Sequence, residues 1–164
     1  MRRYKDLNIV YQGGDLEIHE EDLNSLDRCP HYITGDFRCY ANKLTTLVGG
    51  PQQVDGDYDC SYNRLTSLEG CASHIGDELL IYDNKITSLV GIHKIIKSCS
   101  SIEFDCFDIT EGGIGFILID NLTAISNYMH SFKIIEKYLG TGTKGMMACR
   151  DELIANGYED YAKL

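Results

Sequence analysis

The sequence holds no apolar run long enough to cross a bilayer. Its longest, Gly115-Phe116-Ile117-Leu118-Ile119, falls far short of the roughly 20 residues a spanning helix needs. The opening Met1-Arg2-Arg3-Tyr4-Lys5-Asp6 is basic but lacks the apolar core of a secretion signal, so a cytoplasmic location is the expectation. Basic residues are scarce, 15 Lys and Arg against 25 Asp and Glu, for a net charge of -10. That balance repels phosphate backbones and anionic membranes, so neither direct nucleic-acid nor membrane binding is expected. The seven cysteines are an odd number with no Cys-x-x-Cys pair, which signals neither a disulfide framework nor a zinc knuckle. No polar low-complexity tract argues for disorder. With 164 residues and 43% hydrophobic content, the chain has room for one domain with a sizeable core.

What is present is a repetition. Gly35-Asp36-Phe37-Arg38-Cys39-Tyr40-Ala41-Asn42-Lys43-Leu44-Thr45-Thr46-Leu47 is followed by Gly56-Asp57-Tyr58-Asp59-Cys60-Ser61-Tyr62-Asn63-Arg64-Leu65-Thr66-Ser67-Leu68, and a third copy ends Tyr82-Asp83-Asn84-Lys85-Ile86-Thr87-Ser88-Leu89. The asparagines set a period of 21 residues, within the range of leucine-rich repeats. A worn first copy precedes them: Leu16-Glu17-Ile18-His19 sits one period before Phe37-Arg38-Cys39-Tyr40, and Leu23 and Leu26 sit one period before Leu44 and Leu47. Alternation places Leu16 and Ile18, Phe37 and Cys39, Tyr58 and Cys60, and Leu79 and Ile81 inward. The leucine columns 23, 44, 65 with Ile86, and 26, 47, 68, 89, fill the rest of the core. Cys39 and Cys60 are read as small buried hydrophobes.

Asn42, Asn63 and Asn84 are expected to satisfy backbone groups where each strand ends, since an amide both donates and accepts. Gly35, Gly56 and Gly76, with Gly49, Gly70 and Gly91, mark bends where glycine tolerates positive φ. A 21-residue unit is too short for a strand, two turns and a full helix, so the return legs should be extended or 3-10-like. Leu7–Tyr11 reads as an opening strand capping the first unit. Ser101–Cys106 alternates like a fifth strand, and Phe116–Asp120 reads as the last. From Ser126, a helix N-cap in this reading, the period changes to 3.6, with one helix ended by Gly140 and a second from about Thr143 to Gly157. The resulting expectation is an α/β repeat: a short solenoid of parallel strands over residues 1–125 and a helical C-terminal cap over 126–164.

The unit Gly-Asp-Phe-x-Cys-x-x-Asn-x-Leu-Thr-x-Leu-x-Gly-x-Pro, cleanest over 35–51 and again, without the proline, over 56–70, resembles the leucine-rich-repeat proteins encoded by tailed bacteriophages and some large viruses. The tail from Lys144 to Leu164 is similar to the ending of such proteins. The resemblance implies a small binding protein of phage origin, acting in the host cytoplasm, and supplies no catalytic residue. The first copy, the extra residue around Asp77-Glu78 and the span 92–125 depart from the pattern.

A search for chemistry finds little. Gly140-Thr141-Gly142-Thr143-Lys144-Gly145 lacks the Gly-Lys-Ser/Thr order of a phosphate loop and reads as a turn between helices. His19, His31, His74, His93 and His130 show no metal-ligand spacing. Asp105, Asp108 and Glu111 lack the dense alternation of a calcium loop. No enzyme activity, cofactor or metal is expected.

The outward strand positions form three rows across neighbouring units. Asp15, Asp36, Asp57 and Glu78 make the first, in which a turn-capping role competes with ligand binding. Glu17, Arg38, Asp59 and Leu80 make the second, and His19, Tyr40, Ser61 and Tyr82 the third. With Tyr62, the varying positions have the chemistry of interface anchors. The expected function is a protein-binding module using this concave strand face, a modulator or inhibitor of a host protein whose own surface is basic. Two alternatives stay open: an acidic nucleic-acid mimic that blocks a DNA- or RNA-binding enzyme, and a structural or assembly component.

Overall fold

A computed structural model describes residues 1–105 and 109–164; Cys106 and Asp108 lie outside them. The strands are short, each of two or three residues. In chain order they are β1 Arg2–Arg3, β2 Leu16–Glu17, β3 Leu23–Ser25, β4 Tyr32–Ile33, β5 Phe37–Arg38, β6 Gln53–Val54, β7 Tyr58–Asp59, β8 His74–Ile75, β9 Glu78–Leu80 and β10 Ser88–Leu89. After the short helix α1 (Ile92–Ile95) come β11 Ser101–Glu103, β12 Glu111–Gly112, β13 Ala124–Ser126 and two further helices, α2 His130–Glu136 and α3 Gly142–Ala155. The fold is α/β, with every named strand pair parallel.

The largest sheet has six strands in the order β13-β11-β9-β7-β5-β2. Its register places Leu16, Phe37, Tyr58, Leu79, Ile102 and Ile125 side by side, all buried. Phe37 meets Tyr58 edge-on with ring centres 5.0 Å apart. Ile18, Cys39, Cys60, Ile81 and Phe104 make the neighbouring buried column, and the two leucine columns are buried throughout. The return leg is extended: β4, β6 and β8 form a second parallel sheet, continued by single bridges from His74 to Ser98 and on to Asp120. Its inward residues Ile33, Val54 and Ile75 close the core from that side.

The asparagine column ties each unit to the one before. Asn63 accepts the Leu44 N–H at 3.0 Å and donates to the carbonyls of Cys39, Cys60 and Ser61 at 3.0–3.1 Å. Asn42 and Asn84 do the same one period earlier and later. Gly70, at φ +84 with a neighbouring backbone 2.3 Å from where a Cβ would stand, meets the expected need for a left-handed bend. Gly35, Gly56 and Gly76 do not: none has positive φ, and their requirement is space, since a Cβ on Gly76 would lie 1.8 Å from the Asp55 carbonyl oxygen.

Three sequence expectations are corrected. Leu7–Tyr11 is not a strand. Residues Tyr4–Leu7 form a 3-10 turn, Asn8 turns left-handed at φ 55, and Val10 stays 80% exposed. The strand that pairs at this end is Arg2–Arg3, laid along β3. Phe116–Asp120 is not the last strand either. Ile114–Leu118 is a buried 3-10 helix, and Gly115 lies close enough to α1 that a Cβ would stand 3.0 Å from Ile92 and His93. The last strand is Ala124–Ser126, because the interval between paired strands lengthens from 21 to 23 residues after β9. Ser126 therefore belongs to β13, and α2 begins four residues later with Met129 at its N-cap and no side-chain cap.

The tail packs on this end of the core. Phe132 of α2 meets Phe104 edge-on at 5.0 Å and Tyr161 at 5.5 Å, while the Tyr161 hydroxyl donates to the Ile109 carbonyl at 2.9 Å. Among the described residues no helix is long and apolar enough to cross a membrane.

Candidate binding face

Outward positions of the six-stranded sheet form the three expected rows and extend them by two strands. The first row has a structural duty. Asp15 accepts the Asp36 N–H at 2.9 Å, Asp36 that of Asp57 at 2.8 Å, and Asp57 that of Glu78 at 3.1 Å. Each carboxylate thus caps the backbone of the next unit. Gly35 and Gly56 leave room for it, because a Cβ there would stand about 2 Å from the carboxylate oxygen. The row then ends, since Ser101 and Ala124 occupy the positions beyond Glu78.

In the second row, Arg38 is held by its neighbours. Its guanidinium lies 2.5 Å from Asp36, 3.1 Å from Glu17 and 3.8 Å from Asp15. Asp59 turns one oxygen to the Ser61 N–H at 2.9 Å, and Leu80 follows, half-buried, before Glu103.

The third row pairs aromatic with polar groups. His19 stacks on Tyr40 with ring centres 4.5 Å apart and planes within 4°. Ser61 is buried, and its hydroxyl accepts the Tyr82 N–H at 3.2 Å. The Tyr82 hydroxyl donates to Glu103 at 2.5 Å, and burial together with that bond pushes its phenol well above the usual range. Tyr128 follows Ser126 of β13 and stands 91% exposed.

Tyr62 lies outside these rows. It occupies the left-handed bend before Asn63, at φ 54, in line with Ala41 and Asp83, and is 58% exposed at the rim of the face. Asp77, Glu103, Ser101, Ala124 and Tyr128 extend the face without having been marked by the sequence pattern. For Ser101, Glu103 and Ala124 the lengthened interval removes the asparagine signposts, and the β11 and β13 registers reveal them.

Several hollows mark the surface of the described residues. A groove of about 470 Å³ crosses the face where the acidic row ends, with Asp57, Asp77 and Glu78 on one side, Thr123 and Ala124 on the other and Ser101 between. A polar hollow of about 440 Å³ lies over the second sheet, near Asp55, His74 and Ser98. A smaller apolar one of about 230 Å³ sits between Ile114, Met146, Met147 and Leu164. Residues 137–141 turn from α2 into α3, and Gly142–Gly145, expected to belong to that turn, form the first turn of α3 instead. Cysteines 29, 39, 60, 71, 99 and 149 are unbridged and buried, and burial pushes the Cys29, Cys99 and Cys149 thiols up to about 12.

Against protein-family models, curated proteins and solved structures alike, the chain has no match.

Proposed function

We propose that the chain is a short leucine-rich-repeat solenoid, closed by its helical tail, and that it works as a protein-binding module through the outward face of the six-stranded sheet. The observation that carries this reading is the contrast between inside and outside at registered positions. Inward, Leu16, Phe37, Tyr58, Leu79, Ile102 and Ile125 are all apolar or aromatic and buried. Outward, the same strands carry Glu17, Arg38, Asp59, Leu80, Glu103 and Ser126, six positions with no common chemistry. Stacking needs the first set and is indifferent to the second, which is how repeat scaffolds present a recognition surface.

The acidic balance supports a partner with a basic surface, whose association slows as salt rises. The likeness of the repeat to phage-encoded proteins supports a host protein as that partner, with modulation or inhibition as the outcome. Affinity capture from a bacterial lysate tests the reading. Wild type retains a discrete protein that a Tyr40→Ser/Tyr82→Ser double variant, folded by circular dichroism, loses. Retention of the same protein by both rejects the face as the binding surface. Asp36→Asn/Asp59→Asn separates this reading from nucleic-acid mimicry, in which the carboxylates outweigh the tyrosines.

A further inference from the structure

The two halves of the sheet face differ in how far their charges are already satisfied. Around β2 and β5, Arg38 pairs with Asp36, Glu17 and Asp15, and His19 stacks on Tyr40. Around β7, β9 and β11 the described residues form no such ion pair. Among the described residues Asp57, Asp77 and Glu78 have no ion-pair partner, and only Asp57 spends an oxygen on a backbone N–H. These three carboxylates line one wall of the 470 Å³ groove. Its floor and far wall are small side chains because the acidic row gives way to Ser101 and Ala124. The Ser101 hydroxyl oxygen is buried there without a partner. Beside the groove in register stands half-buried Leu80, and Tyr128, two residues past the end of β13, is almost wholly exposed.

From this we infer that the half of the face centred on β9 and β11 is the docking surface for an extended basic segment of a protein partner. An arginine or lysine side chain lies in the groove against Asp57, Asp77 and Glu78, and the segment's apolar part rests on Leu80 and Tyr128. The inference rests on the strand-face reading above and narrows it to one half and one partner chemistry. Charge complementarity selects the occupant: unpaired carboxylates favour a cation, and a guanidinium or ammonium on a long stem reaches the groove without displacing backbone. A bound metal ion is the weaker match, because among the described residues no three His, Cys, Asp or Glu converge closely enough to hold one. Nucleic acid is repelled by the same charges.

The test uses the full chain, labelled with nitrogen-15, and a blocked hexapeptide of alternating glycine and arginine. Titration in low salt is expected to shift the Ser100, Ser101, Thr123 and Ala124 amides saturably. Asp77→Asn/Glu78→Gln should weaken binding at least ten-fold, while Glu69→Gln, at an exposed position outside the face, changes it less than two-fold. Both variants keep every backbone hydrogen bond described above, so lost binding is separable from lost fold. Saturable shifts centred on Glu17 and Arg38, with Glu17→Gln weakening binding instead, overturn the inference and leave the strand-face reading standing. Shifts spread evenly over all acidic residues, or no saturable shift, also overturn it. Shifts confined to the second sheet or the helical tail overturn that reading as well.

Discussion

Four hydrogen bonds converge on the side-chain amide of Asn63, and none goes to another side chain. Asn63→Ala leaves the buried Leu44 N–H and a set of carbonyls short of partners. At roughly 1–3 kcal/mol per unsatisfied buried group, and with partial relaxation, the expected loss is about 2–4 kcal/mol in urea denaturation. An exposed control, Glu69→Ala, should stay within about 0.5 kcal/mol. The cysteines give a second expectation at this scale. Because burial raises their thiols, little thiolate exists near neutrality. Iodoacetamide at pH 8 should leave Cys29, Cys39, Cys60, Cys71, Cys99 and Cys149 unmodified in the native chain and alkylate all six in urea, as read by peptide mass mapping. Fast native labelling of Cys39 or Cys60 would contradict their place in the core. The asparagine and cysteine columns are legible in the sequence because a strict 21-residue offset repeats them. The Tyr82–Glu103 bond is not, because Glu103 belongs to a unit without the asparagine that would have marked it.

Among elements, what the sequence shows and what it hides divide at β9. Up to there, alternation and period agree, and the inward columns follow directly. Beyond it the interval grows to 23 residues, and the apolar run Phe116–Ile119 looks like a strand by composition alone. Gly113 and Gly115 just before it, and its position against α1 and Phe132, put most of it in the 3-10 helix Ile114–Leu118, which only packing reveals. The opening segment fails for a related reason: β-branched residues at 9 and 10 suggest a strand, yet the residues that pair are two arginines at 2 and 3. The α2–α3 contact carries a pH expectation. Hydrogen bonds from Lys137 and Tyr138 hold the Glu152 carboxyl below its ordinary value. A carboxyl whose folded pKa lies below its unfolded one stabilises the fold above the unfolded value, and that contribution disappears as pH falls through the folded one. Amide protection factors in α3, corrected for intrinsic exchange, should therefore drop as pH falls below about 4. In Glu152→Gln the drop should be smaller, starting from a lower neutral value. Identical profiles in the two proteins would remove Glu152 from the account.

For the whole molecule, net charge and surface placement act together. The same acidic excess that argues against nucleic acid leaves the outward face with one paired half and one unpaired half. Composition alone cannot show that division, since it depends on Arg38 standing between three carboxylates and on the row ending at Ser101. The site residues Glu17, Asp36, Arg38 and Tyr40 are legible as outward positions, but their mutual pairing is not. The account stands or falls on which surface a partner covers, and hydroxyl-radical footprinting of the chain with and without its captured partner reads that directly from side chains. Protection of Leu80, Tyr82 and Tyr128, with Tyr32 on the second sheet and Met147 on α3 unchanged, is the predicted result. Protection of Tyr32 or Met147 while Leu80, Tyr82 and Tyr128 remain fully reactive would contradict it.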